Sequence, residues 1–237
     1  MILAILQARM SSTRLPGKVM LPLAGAPMIQ HQIEHVQEAA NIDELIVTTS
    51  DQASDDPLAA FLEKRGIAVY RGPLNDVQQR FVGAAAEFPA AAIVRLTADC
   101  PLADPGVIDD TIDAFLDAGA EYASNTPPRR TFPKGLDVEV FTAEALRRAA
   151  VNPSPEAREH VTWDMHRQPD RYRQAFHSQA ADEGEVRWTV DRPDDYEFVT
   201  AVYDGLYKRD PEFGSDDIRA FVRGRPKLAN YGGDRRV

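Results

Sequence analysis

Two arginines, a lysine and three hydroxyl residues crowd the stretch Arg9-Met10-Ser11-Ser12-Thr13-Arg14-Leu15-Pro16-Gly17-Lys18, directly after the apolar run 2–6. A helical pattern opens near Pro27 and continues through Ile29, Ile33 and Val36. Strand, cationic loop, helix is an order that brings backbone N–H groups and Arg/Lys donors to bear on phosphates. Ser11, Ser12 and Thr13 let the backbone approach phosphate oxygens closely and add donors of their own. The loop is not a Walker A cradle: Ser12 stands where that motif needs its first glycine, and Val19 follows Lys18. It reads as a site for a nucleoside triphosphate, with Arg9, Arg14 and Lys18 stabilising charge that grows on a leaving pyrophosphate.

Two aspartates complement the cations. Asp99 closes the segment 93–99 ahead of Pro101, and Asp191 closes 186–191 ahead of Pro193. Mg²⁺ prefers one or two carboxylates completed by phosphate oxygens and water, which such a pair supplies. The alternative is that each aspartate caps the helix that follows it; Asp104 suits a cap better than a ligand. On the acceptor side, Asp137 and Glu139 fall two residues apart in a strand-like segment and suit the hydroxyls of a sugar. Arg158 offers a fork for a carboxylate or phosphate, and Lys134 and Glu159 stand near these groups. His160 is either a proton acceptor or donor for the substrate, or a packed helix histidine. Asp76 and Arg80 are spaced as an i,i+4 pair on a helix. His31, His35, His166 and His177 read as structural, Trp163 and Trp188 as core, and nothing near Cys100 marks it as a nucleophile.

The elements that must position these groups alternate. Strand-like runs at 2–6, 45–49, 67–70 and 93–97 are followed by helical patterns at 27–40, 57–65, 77–88 and 107–116. Four successive βα units predict a doubly wound, mainly parallel α/β sheet whose ligands bind beyond the carboxyl ends of the strands. Regularity weakens between about 125 and 185, where a Pro-rich stretch (125–133) precedes a strand at 135–141 and helices at 143–150 and 156–166. This span reads as an insertion on the acceptor side of one nucleotidyltransferase domain covering 1–237. A strand at 186–190 and helices from 194 and from 215 follow, the last capped by Ser215, and the basic tail from Gly224 reads as loosely held.

The motifs Gln7-Ala8-Arg9-x-x-Ser12-Thr13-Arg14-Leu15-Pro16-Gly17-Lys18 and Gly25-x-Pro27-Met28-Ile29 resemble the opening of the sugar cytidylyltransferases, most closely their SpsF-type spore-coat polysaccharide members. The resemblance continues through Asp76-Val77, Asp99-Cys100-Pro101, residues 135–139, Arg158-Glu159-His160-Val161-Thr162 and Trp188-Thr189-Val190-Asp191. It implies a fold like that of the nucleotide-diphospho-sugar transferases and transfer of CMP from CTP to an acidic sugar. It also assigns the metal to Asp99 and Asp191 and a homodimer contact to the inserted span. For the base it points to the backbone of Leu6 and Ala8, to Gln7 and to Arg71. One departure stands out: Thr97-Ala98-Asp99 occupies the place where ketodeoxyoctonate enzymes carry Gln-Gly-Asp, which leaves the acceptor open.

The formal charge of −10 argues against a nucleic-acid partner, since phosphate backbones need a basic face. A single cysteine excludes an intrachain disulfide, and no apolar run approaches the roughly 18 residues of a membrane span. The chain opens on a strand without the layout of a signal peptide, so the expectation is a cytoplasmic enzyme. Three rivals remain: a nucleotidyltransferase for a sugar phosphate, phosphorylated alcohol or phosphonate; a nucleotide-sugar glycosyltransferase; and a non-catalytic CTP-binding subunit.

Overall fold

The computed structural model describes residues 1–126 and 128–237. In chain order the strands are β1 (Ile2–Gln7), β2 (Pro22–Leu23), β3 (Ala26–Pro27), β4 (Glu44–Ser50), β5 (Ala68–Gly72), β6 (Ala92–Thr97), β7 (Tyr122–Ser124), β8 (Glu139–Thr142) and β9 (Gln174–Phe176). The helices are α1 (Met28–Gln37), α2 (Asp56–Lys64), α3 (Val77–Glu87), α4 (Pro105–Asp117), α5 (Ala143–Ala149), α6 (Pro155–Glu159), α7 (Trp163–Arg167), α8 (Pro193–Leu206), α9 (Ser215–Arg223) and α10 (Pro226–Ala229).

Strand β1 is apolar up to its last residue, Gln7, because it is covered on both faces: Leu3, Ala4, Ile5 and Leu6 are fully buried. Alternate side chains enter opposite cores. Ala4, Leu6 and Val47 pack with α1, α2, α4, α8 and α9. Leu3, Ile5 and Ile46 pack with α3, α5 and α7. The sheet order is β5-β4-β1-β6-β8-β7-β9, with β2 and β3 forming a separate small hairpin. From β5 to β6 the strands are parallel; β8 runs against both β6 and β7, and β9 is parallel to β7. The chain therefore steps outward from β1 to β4 and β5, then returns to the other side of β1 as β6. That reversal opens a crevice where Gln7 and Thr97 end their strands as register partners.

The sequence pattern identifies the βα units, with differences confined to their ends. Four local expectations are corrected. The segment 186–190 is extended but joins the sheet by no ladder; it holds one parallel bridge, Lys134 with Arg187. Its neighbour turns away at Gly135, whose φ of +114° and closeness to Thr189 N (2.7 Å from a built Cβ) admit no side chain. The pattern at 156–166 breaks into α6 and α7, because Val161 adopts φ +28° while its carbonyl accepts from the buried Gln78 amide at 2.9 Å. In the stretch 135–141, only the part from Glu139 pairs as strand. Gly214, not Ser215, is the cap of α9, and Asp217 accepts its N–H at 3.1 Å.

The tail is not loose either. Arg236 is fully buried and its carbonyl accepts from Trp188 Nε1 at 2.9 Å. Between 125 and 185 the chain supplies β8 and β9 to the same sheet. No helix among the described residues is long and apolar enough to cross a membrane.

Candidate active site

The cationic loop folds around one carbonyl. Ser12 and Gly17 both donate their N–H to Met10 O at 2.9 Å, and Gly17 takes φ +69° to turn the chain into Lys18. Met10 N–H in turn donates at 2.7 Å to the buried carboxylate of Asp55, just before α2, which also accepts Ser50 N–H at 3.1 Å and so ties the loop to the end of β4. A cavity at the crevice is lined by Gln7, Ala8, Arg9, Ser12, Thr13, Arg14, Lys18, Thr97, Asp99 and Asp191, with Val19 and Ala98. Leu6 lies buried one residue before Gln7, and the Ser11 hydroxyl is buried without a partner among the described residues.

Lys18 is the centre of this cavity. Its Nζ donates to Asp99 Oδ2 at 3.0 Å, Asp191 Oδ1 at 2.9 Å and Val190 O at 2.7 Å. An ammonium has three hydrogens, so all are engaged. Burial draws its pKa down, but the charges and hydrogen bonds of Asp99 and Asp191 outweigh that and hold it above the ordinary lysine value. Burial likewise pushes Asp191 up, and hydrogen bonds from Lys18 and Arg187 with the charge of Arg14 overcome it, leaving the carboxyl below the usual range. Arg14 Nη2 stands 3.3 Å from Asp191 on a largely exposed side chain. Arg9 is exposed and makes no ion pair among the described residues.

Neither aspartate caps a helix: Asp104 caps α4 and Arg192 precedes α8. They are brought together by backbone, as Val190 N–H donates to Asp99 O at 2.7 Å and Thr189 Oγ1 to the same oxygen at 3.2 Å. The end of β6 is held from α1, where Gln32 donates to Thr97 O at 2.8 Å and accepts from Cys100 N at 3.2 Å. Thr97 Oγ1 donates to Asp99 Oδ1 at 2.7 Å. Burial and the neighbouring Asp99 push the Cys100 thiol well up, which disfavours the thiolate that a nucleophile needs.

A second cavity shares Thr97 with the first and takes in Arg95, Arg130, Asp137, Glu139, His160, Thr162, Trp163 and His166, with Thr126. Its charges are already matched. Glu139 pairs with Arg95 and accepts from Thr162 Oγ1 and from Tyr122 Oη at 2.9 Å. Burial pushes Glu139 up, and Arg95 with these donors brings it below the usual range. Arg130 grips Asp137 in a two-point fork, with Nη2–Oδ2 at 2.7 Å. Burial holds His166 below the ordinary histidine value. Trp163 is not core: it is half-buried on this cavity, with the Arg167 guanidinium 3.9 Å over its ring. Trp188 is fully buried, and His31 and His35 are buried on the carbonyls of Leu23 and Ala103.

Two expected residues lie elsewhere. Arg158 pairs with Asp76 at 2.6 Å in a third cavity with Asp51, Gln52 and Asn75, apart from Asp137, Glu139 and His160. Arg71 lines neither of the first two cavities; it binds Ser50 O at 3.0 Å, Gln52 O at 2.9 Å and Asp56 at 2.7 Å. Asp76 and Arg80 are not a pair. Arg80 is fully buried, donates to Pro73 O at 3.3 Å, and burial with the nearby Arg9 charge lowers it to about 10. The sequence reading missed Arg95, Thr97 and Arg187 as site groups. A charged residue inside a buried apolar strand, as Arg95 is in β6, was the available signal.

The architecture and this crevice define a nucleotidyltransferase, and the chain belongs to the cytidylyltransferase family, whose model matches residues 3–202. Its sequence is 34% identical to the spore coat polysaccharide biosynthesis protein SpsF of Bacillus subtilis, over 96% of each chain. A 3-deoxy-manno-octulosonate cytidylyltransferase of Geobacter metallireducens shares 34% identity over 47% of this chain and 43% of its own. A cytidylyltransferase structure from Leptospira borgpetersenii superposes with a TM-score of 0.89 at 30% identity, covering 96% of this chain and 95% of that one. The structure of CMP:2-keto-3-deoxy-manno-octonic acid synthetase with CTP shares the fold at 0.65 and 19% identity, over 86% and 98%.

Proposed function

We propose that this chain transfers CMP from CTP to the hydroxyl of an acidic sugar of the ulosonic or nonulosonic type, releasing pyrophosphate for surface polysaccharide synthesis. The observation that carries the reading is the Lys18 ammonium held between Asp99 and Asp191 beside the loop of Arg9 and Arg14. A cation already sits between the two carboxylates, and no cluster of three or more His, Cys, Asp or Glu competes for a metal among the described residues. A pair of aspartates that needs phosphate oxygens and water to complete the shell suits Mg²⁺. Asp99 and Asp191 would hold the ion, which supplies neutralisation of the triphosphate when bound.

Arg9 and Arg14, with the hydroxyls of Ser12 and Thr13, bind the triphosphate and align its α-phosphorus toward the second cavity. The acceptor oxygen forms the new P–O bond as the bond to the β-phosphate oxygen breaks. Arg14 and Lys18 take up the charge that accumulates on the departing pyrophosphate. Leu6, Gln7 and Ala8 face the nucleoside side, and His160 takes the proton that the acceptor hydroxyl gives up as its oxygen bonds to phosphorus. The second cavity favours a carboxylate over a phosphate. Each of its arginines already has a carboxylate partner, and Asp137 is the more exposed of the two, at 39% against 14% for Glu139. A substrate carboxylate taking the place of Asp137 on Arg130 adds one negative charge to the cavity, since the displaced Asp137 stays beside it, whereas a dianion adds two.

The test is pyrophosphate release with Mg²⁺, crossing CTP, UTP, ATP and GTP against acidic sugars, sugar phosphates and phosphonates. Release that requires CTP and an acidic sugar supports the assignment. Release with UTP or ATP, or with a phosphorylated acceptor alone, replaces it by another nucleotidyl transfer. CTP binding without turnover across the panel removes the catalytic reading.

A further inference from the structure

We infer that Arg236, acting through Asp195 and Arg187, is a positioning residue for Asp191, so that residues 234–236 belong to the working parts of the proposed transferase. The inference rests on that reading. Asp195 is fully buried and receives Arg187 in a two-point fork, Nε–Oδ1 at 2.9 Å and Nη2–Oδ2 at 2.8 Å. The same Arg187 Nη2 donates to Asp191 Oδ2 at 3.1 Å. Asp195 also accepts the backbone N–H of Asp191 at 3.0 Å, so it fixes both the chain and, through Arg187, the side chain of Asp191. With Oδ2 held by Arg187 and Arg14, Oδ1 is the oxygen directed to Lys18.

Arg236 closes the arrangement from behind. It is fully buried, donates Nη2 to Asp195 Oδ1 at 3.0 Å and Nη1 to Arg187 O at 2.7 Å, and lies 4.7 Å over the Phe198 ring. The backbone repeats the grip, with Arg187 N–H donating to Arg235 O at 2.9 Å. Asp234 stands 3.6 Å from Arg236 and pairs with Arg192. Well-packed apolar side chains would stabilise such a place at least as well as buried ions do, so stability alone does not account for the choice. What apolar packing cannot do is fix the direction of a carboxylate; an outer hydrogen-bonding shell does that.

Arg236→Met keeps the length of the side chain and its contact with Phe198 while removing the charge. Phe221→Leu, which loosens the packing of α8 and α9 away from Asp191, is the stability-matched comparison. Arg236→Met is expected to lower kcat per folded molecule and Mn²⁺ affinity in the presence of CTP by roughly 10- to 100-fold, with acceptor KM unchanged. Values equal to those of Phe221→Leu at a similar Tm overturn the inference. If Arg236→Met does not fold, Asp234→Asn replaces it, with a smaller fall expected in the same two quantities and no change overturning the inference. If the wild-type protein releases no pyrophosphate, the transferase reading falls, and the Mn²⁺ isotherms of wild type and variant alone decide the role of Arg236.

Discussion

Lys18 spends all of its hydrogens on Asp99, Asp191 and Val190, so it reaches a phosphate only by leaving them. The ammonium therefore occupies the place between the two carboxylates that a divalent ion would need. Lys18→Met leaves Asp99 and Asp191 Oδ1 without the ammonium between them, while Arg14 and Arg187 keep Asp191 Oδ2. We expect the variant to bind Mn²⁺ without nucleotide at least about tenfold more tightly than wild type while turnover falls steeply, the binding read by calorimetry. Unchanged Mn²⁺ affinity would show that the ion and the ammonium do not share a place. Asp137 competes for Arg130 in the same sense. Asp137→Asn weakens the fork, and we expect acceptor KM to drop several-fold, on the order of 1 kcal/mol, in steady-state assays with saturating CTP. A raised KM would make Asp137 a direct sugar contact and not a stand-in.

At the scale of elements, the segment carrying Asp191 depends on a neighbour with no side chain. A methyl group at residue 135 would meet Thr189 N at 2.7 Å on a backbone with φ +114°. Gly135→Ala is expected to cost about 1–3 kcal/mol and to displace Val190 and Asp191 from Asp99. Thermal melting and CTP turnover would register both effects, and a variant with wild-type turnover would separate this contact from the site. The loop of residues 9–18 and the ends of β4, β5 and β6 were legible in sequence because each is set locally, by an apolar run and the turn residues after it. The second cavity was legible only in part. Asp137, Glu139 and His160 were visible as polar residues, but nothing near Glu139 in sequence marks Arg95 as its partner, since that pairing joins segments 44 positions apart. The break at Val161 was hidden for a similar reason: residues 156–166 contain neither Gly nor Pro, and Gln78 imposes the turn from α3.

Across the whole molecule, the charges that build the site also couple its stability to pH. Burial pushes Asp191, Asp195 and Glu139 up, yet Lys18, Arg187 and Arg95 leave all three below their ordinary values of 3.8 and 4.5. Their carboxyls are therefore harder to protonate folded than unfolded, so the unfolded chain binds more protons in acid. Stability is full above those ordinary values and is lost as pH falls through the depressed ones. Lys18 acts in the opposite window: its contribution is full below 10.5 and is lost as pH rises through its raised value. Melting curves should show a plateau between about pH 5 and 10 with a fall on each side; a Tm still rising as pH drops below 4 would contradict the ion pairs described. Lys18 joins partners 81 and 173 positions away along the chain. The first of these spans no more chain than the β1–β6 ladder, which pairs Ile2 with Ala92, so it can form with the parallel sheet; the second reaches far beyond it. A chain folded no further than β6 would hold Asp99 beside Lys18 and still lack Asp191, so half of the site depends on the segment that follows Trp188.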